Sequence, residues 1–305
     1  MTAVASAPRL LWRSRRTAVD LPRLPPRLQL ARGVLVVVFV ISASLVIQLV
    51  VVSNLQQRAA QQRAFDRFRS ELATGTAPIG PVGADGRQLA QGTPVAYLEI
   101  PAIGLRQVIV EGTTSSALFT GPGHRRDSPL PGQAGVSVVL GRSAAFGGPF
   151  RQIDALERGD TIHVTTGQGE FDYRVTGRRS DGDPAPGPAG PGKGRLLLAT
   201  AAGRPFMPDG VLRVDADLVT AAVGGAAPLV ASRALPPAEQ LMGADTGTLW
   251  ALALWLQALT VVAIGAVWAW HRWGRAKAWV VFLPPLIFAG LSASGEAARL
   301  MPNLL

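Results

Sequence analysis

Nucleophiles, proton carriers and metal ligands are scarce in this chain. It has no cysteine in 305 residues, which excludes a thiolate nucleophile, a disulfide and a thiolate zinc site. Its three histidines, His124, His163 and His271, are too dispersed for a metal cluster, so neither metal nor cofactor is expected. His163 alternates with Ile162 and Val164 in TIHVTT and therefore faces away from them on a strand. The stretch of most interest is Arg195–Gly203, RLLLATAAG, an apolar strand that runs out at Thr200 and Ala201. A Thr hydroxyl becomes a nucleophile only beside a base, and none is identified next to Thr200. Arg204 follows and adds a cation.

The elements around that strand are short and β-rich. VAYLEIP (95–101), RQVIVEG (106–112), VSVVLG (136–141), TIHVTT (161–166), EFDYRVTG (170–177), RLLLATA (195–201) and VLRVDAD (211–217) are β-branched or alternate apolar with polar residues. Strands so spaced predict a closed barrel or sandwich over 94–220, with helical turns at Ser115–Phe119 and Pro149–Glu157. Ser180–Gly194, SDGDPAPGPAGPGKG, is too rich in Gly and Pro for regular structure and predicts a mobile excursion.

Three apolar runs flank this domain. The run 34–52 carries no charge over 19 residues, close to the ~20 needed to cross a hydrocarbon core. The predicted order is a basic, Pro-rich cytoplasmic arm (1–32), a first transmembrane helix (33–53), and an exposed helical stalk with a linker (54–93). After the barrel come a second linker (221–247), a span (248–270), a cytoplasmic loop (271–277), a third span (278–295) and an extracytoplasmic tail (296–305). Pro284 and Pro285 predict a kink in the third span, and six Trp residues from Trp250 to Trp279 predict interfacial anchoring.

The net charge of +10 suggests nucleic-acid binding until it is located. Seven Arg against Asp20 lie in 1–33, and Arg272, Arg275 and Lys277 lie in the loop 271–277. Residues 54–247 are nearly balanced, with 19 basic and 18 acidic side chains. The excess thus borders membrane spans, which places the N-terminus in the cytoplasm and the barrel outside. A membrane with anionic lipid is the expected partner of these arginines, and a nucleic acid is not.

Residues 95–219 resemble the sortases of Gram-positive bacteria, most closely the actinobacterial class E type. The matching text is YLEIPAIGLRQVIVEGTTSSAL (97–118), GPGHRRDSPLPGQAG (121–135) and VVLGRSAAFGGPFRQIDALERGDTIHV (138–164). FDYRVTG (171–177), LLLAT (196–200) and VLRVDADLV (211–219) complete it. The resemblance implies an eight-stranded barrel and transpeptidation, in which a Cys attacks a sorting signal, a His transfers protons and an Arg stabilises the oxyanion. Carried over one at a time, the His position falls on Arg142, the Cys position on Ala201 and the Arg position on Val211. All three are replaced. Arg142 cannot shuttle protons near neutral pH, although its fork suits a carboxylate or phosphate.

The resemblance therefore implies a multi-pass membrane protein with a catalytically degenerate sortase fold, binding or scaffolding a membrane or cell-wall protein at the envelope. His124, Arg142, Thr200 and Arg204 are its candidate cleft residues. The competing reading is a cysteine-independent transpeptidase or hydrolase of cell-surface proteins, completed by other residues or a partner.

Overall fold

Alternation of β-branched and polar residues from Pro94 onward produces eight strands in the computed structural model. They are β1 (Pro94–Ile100), β2 (Leu105–Glu111), β3 (Gly123–His124), β4 (Gly135–Leu140), β5 (Thr161–Thr166), β6 (Gly169–Arg179), β7 (Gly194–Arg204) and β8 (Met207–Leu218). The structure describes residues 42–305 apart from 84–85 and 226–229, with Pro25, Leu28 and Leu35 as isolated earlier positions. Almost all of the arm and residues 33–34 and 36–41 of the first span fall outside the described residues. All eight strands belong to the unit 41–305.

The strands close into a barrel in the order β1-β2-β3-β4-β7-β8-β6-β5. β2/β3 and β4/β7 are parallel and the other pairs antiparallel. Inward side chains such as Leu98, Ile109, Val139, Tyr173, Leu198 and Val214 fill the core. Short 3-10 turns at Ala117–Phe119 and Ile153–Ala155 fall within the two predicted helical stretches. β3, only two residues long, escapes the pattern, and β7 does not stop at Ala201. It runs on to Arg204 and turns into β8 at Met207, so Val211 lies inside a strand rather than opening one.

The predicted exposed stalk is a helix, but it lies on the barrel. α1 (Ser53–Ala73), continuous with a π-helical turn at Gln48–Val52, buries Gln57, Ala64 and Phe68. Gln61 accepts from the Val108 N–H at 2.7 Å and donates to the carbonyls of Val108 and Thr120 at 3.0 and 2.9 Å. The docking is polar and so invisible to a search for an apolar stripe. Gly121 leaves room for that amide, because a Cβ there would overlap Gln61 Nε2. Gly121→Ala should push the amide away and leave the Val108 N–H short of its acceptor, at about 1–3 kcal/mol. A lowered melting temperature checks this, and an unchanged one would contradict the docking.

Two helices among the described residues, not three, are long and apolar enough to cross a membrane. They are α2 (Leu249–Trp273) and α3 (Arg275–Arg299). They pair through contacts such as Trp255 with Phe288, at 5.4 Å between ring centroids. α3 continues through Pro284 and Pro285. The segment expected as a linker, 221–247, is tied to the barrel: Glu239 is 1% exposed and pairs with Arg126, and Val223 bridges to Gln133. The expected tail is likewise no free tail, since 296–299 complete α3 and Leu304 and Leu305 are buried.

Candidate functional site

Side-chain alternation along β7 decides what each face carries. Leu196 and Leu198 point into the barrel, whereas Ala199 and Ala201 point outward with Val138 and Leu140 of β4 and Val211 of β8. Ala201 stands directly opposite Val211, and Leu140 opposite Ala199. The outer faces of β4, β7 and β8 thus form one apolar groove, flanked by Leu118.

Arg142 stands at the end of this groove. Gly141 before it is bound on both sides, its N–H to Ala199 O at 3.0 Å and its carbonyl accepting Thr200 Oγ1 at 2.8 Å. The Arg142 side chain is fully buried. It donates from Nη1 to Leu305 O at 3.1 Å and from Nη2 to Ser115 O at 3.3 Å, while Nε has no partner. Its guanidinium lies 4.8 and 5.2 Å from the Phe119 and Phe146 ring centres. Burial pushes its pKa down to about 9, which still leaves it charged at neutral pH.

Of the candidate residues the fold brings together Arg142, Thr200, Ala201 and Val211. Beside Ala201 and Thr200 opens a cavity of about 520 Å³, lined also by Ser143, Phe150, Arg151, Asp154 and Phe206. The Thr200 hydroxyl is 2% exposed and directed at Gly141 O. Arg204 is exposed in the β7–β8 hairpin, outside the residues that line this cavity. No group of His and acidic residues suited to a metal ion occurs among the described residues.

His124 lies elsewhere. It pairs with Val139, an inward residue, so it faces the interior rather than the groove. Its Nδ1 is 2.8 Å from Glu111 Oε2, and Nε2 meets Pro129 O at 3.0 Å and Ser128 Oγ at 3.2 Å. Burial alone would lower its pKa, but Glu111, helped by the Pro129 carbonyl, raises it above the ordinary value. A raised folded-state pKa gives stability that is complete below the unfolded value near ~6.5 and is lost as pH climbs through the folded one. The melting temperature should therefore fall as pH rises above neutrality, and Glu111→Gln should flatten that slope. A wild-type slope matching that of Glu111→Gln would contradict the pairing. His163 points outward and pairs with Asp172 at 2.6 Å.

Sequence reasoning missed Ser115, Phe119, Phe146, Leu304 and Leu305, which touch Arg142 or cover the groove, and Asn303, which ties the same segment to Thr113 O. Phe146 stands in matched text and Phe119 just beyond it, but nothing there marks them as a stack, with centroids 3.8 Å apart.

Residues 98–200 match the sortase domain family model. The chain is similar to sortase D of Bacillus subtilis, 37% identical over 84 residues that make up 28% of this chain and 41% of that protein. It is also similar to sortase A of Bacillus anthracis, 20% identical over 39% of this chain and 58% of that one. It therefore spans about half the length of these relatives. Among solved structures, a sortase D5 transpeptidase from Clostridium perfringens aligns at 21% identity, covering 53% of this chain and 99% of its own, with a TM-score of 0.44. Sortase E1 from Streptomyces coelicolor aligns at 24% identity over 43% and 91%, with a TM-score of 0.37.

Proposed function

We propose, from the premise that residues 98–200 form a sortase-family domain, that this chain is a non-catalytic sortase-fold protein anchored in a cell membrane, where it binds or scaffolds a peptide segment of an envelope protein. In this reading it is degenerate in all three catalytic positions and closest in type to class E. The barrel stands outside, the N-terminus and the loop 271–277 inside. The charge distribution supports that orientation, and so does the α2–α3 hairpin, whose outer ends meet through Asp245 N–H to Arg299 O and continue into Leu304 and Leu305 on the barrel.

The observation that carries the reading is the meeting of Arg142, Ala201 and Val211 at one end of a groove without a nucleophile–base pair. An alanine methyl has no lone pair to attack a carbonyl, and a guanidinium cannot accept a proton there. Thr200, the one hydroxyl on β7, donates to a carbonyl instead of a base. In a triad hydrolase the loss of the nucleophile alone removes ~10⁶ in turnover.

The test is incubation of the full chain in mild detergent with a sorting-type peptide and an amine acceptor, followed by mass spectrometry. No ligated or cleaved product above the peptide-only background is expected. Product that disappears with Thr200→Val would replace this reading with that of a cysteine-independent enzyme.

A further inference from the structure

The groove is filled. Beyond α3 the chain turns back, with Leu305 N–H bonded to Pro302 O at 3.1 Å, and lays Leu304 and Leu305 among Leu140, Ala201 and Val211. These two leucines are 0% and 6% exposed, as buried as core residues. We propose that the outer groove of β4, β7 and β8 is a receptor site for a short apolar peptide folded in a Pro-Asn turn, and that its resident ligand is the chain's own Met301–Leu305.

The recognition is of the kind that reads a peptide. Hydrogen bonds to its main chain fix its path: Ser143 N–H donates to Leu304 O at 2.8 Å, Ala145 N–H and Arg142 Nη1 donate to Leu305 O at 3.3 and 3.1 Å, and Asn303 N–H donates to Gly243 O at 2.8 Å. Side chains add selectivity. Asn303 Nδ2 binds the carbonyls of Thr113 and Gln240 at 2.8 and 2.9 Å, and the two leucines fill the apolar floor. Main-chain bonds supplying affinity and side-chain pockets supplying choice is the general division of labour in peptide recognition. The turn pre-organises the segment and lowers its ordering cost.

Arg142 supports the same conclusion independently. A desolvated cation is costly unless its donors are used, and among the described residues it pairs with no Asp or Glu side chain. Two of its donors go to main-chain oxygens, one of them on the resident peptide. The position that in the family's pattern handles protons therefore holds a peptide main chain here. Ala201 removes the side chain that would compete for the same space.

This proposal deepens the non-catalytic reading, on which it rests for the peptide's survival in the groove. Its test uses the full chain in detergent and a fluorescein-labelled Met-Pro-Asn-Leu-Leu peptide, followed by anisotropy. The double variant Leu304→Asp, Leu305→Asp places two carboxylates against apolar walls and should eject the segment. The peptide should bind that variant at least about tenfold more tightly than wild type, and adding Arg142→Ala should weaken binding about tenfold again. Equal binding to wild type and double variant, or none to a double variant that melts normally, would overturn the proposal.

Should the double variant not fold, the absence of cysteine offers a second measurement on nearly native protein. A single Leu305→Cys should react with a maleimide at least about tenfold more slowly than Met207→Cys, whose position is 72% exposed. Equal rates would overturn the proposal. No acceptor amine is present in either measurement, so their failure leaves the non-catalytic reading standing, and ligation in the earlier assay leaves the binding claim standing.

Discussion

Val211→Arg should be the most damaging single substitution in the groove, lowering unfolding free energy by about 3–5 kcal/mol, the range for an uncompensated buried charge. The change installs the residue type that the sequence resemblance implies for this position, and on that resemblance alone it would be harmless. The local environment says otherwise. Val211 is 5% exposed, stands opposite Ala201, and packs with Leu304 and Leu305 in an apolar cluster. The carboxylate bound to the Val211 N–H, Asp181, already pairs with Arg213 on the exposed side, away from the apolar cluster. The loss should shrink by about 0.5–3 kcal/mol when residues 301–305 are also removed, because contacting sites couple by that amount. Denaturant midpoints of the four proteins of the cycle check both claims. A Val211→Arg protein as stable as wild type would mean that the groove is open and wet.

The same neighbourhood shows what the sequence discloses and what it hides. Seven strands are legible because β-branched residues alternate with polar ones, and the outward place of Ala201 follows from that alternation plus the matched text around Gly141 and Thr200. β3 is not legible, since Gly123 and His124 carry no periodicity and pair only because β2 and β4 offer edges on either side. His124 draws attention as a rare titratable group, but its partner Glu111 lies on another strand, and only the parallel register joins them. α1 is legible as a helix but not as a docked one, because Gln57 and Gln61 attach it through amides. Pro302 to Leu305 are unreadable for a different reason. Two leucines after an apolar helix look like its frayed end, and their meaning comes from Ser143, Ala145 and Arg142, about 160 positions earlier in the chain.

Arg142 separates a residue kept for stability from one kept for binding. Arg142→Met should leave stability within about 1.5 kcal/mol of wild type, whereas Arg142→Ala should lose about 3 kcal/mol. The opposing terms are individually large. Pushing the guanidinium's pKa down to about 9 corresponds to roughly 5 kcal/mol against the charged form at neutral pH. Two hydrogen bonds from a charged donor return about 1.5–3 kcal/mol each, and the position beside two phenylalanine rings about 2 kcal/mol more. These cancel to within a few kcal/mol, so a methionine that keeps the apolar stem while discarding the charge forfeits little. Alanine discards the stem as well and leaves a void beside the stacked rings of Phe119 and Phe146. Thermal melts of the two variants decide the matter, with Leu305→Cys labelling as the second readout: the Met variant should keep its melting temperature while the thiol introduced at position 305 reacts faster. If Met and Ala were equally damaging, the charge itself would be holding the barrel together, and Arg142 would need no ligand to account for its burial.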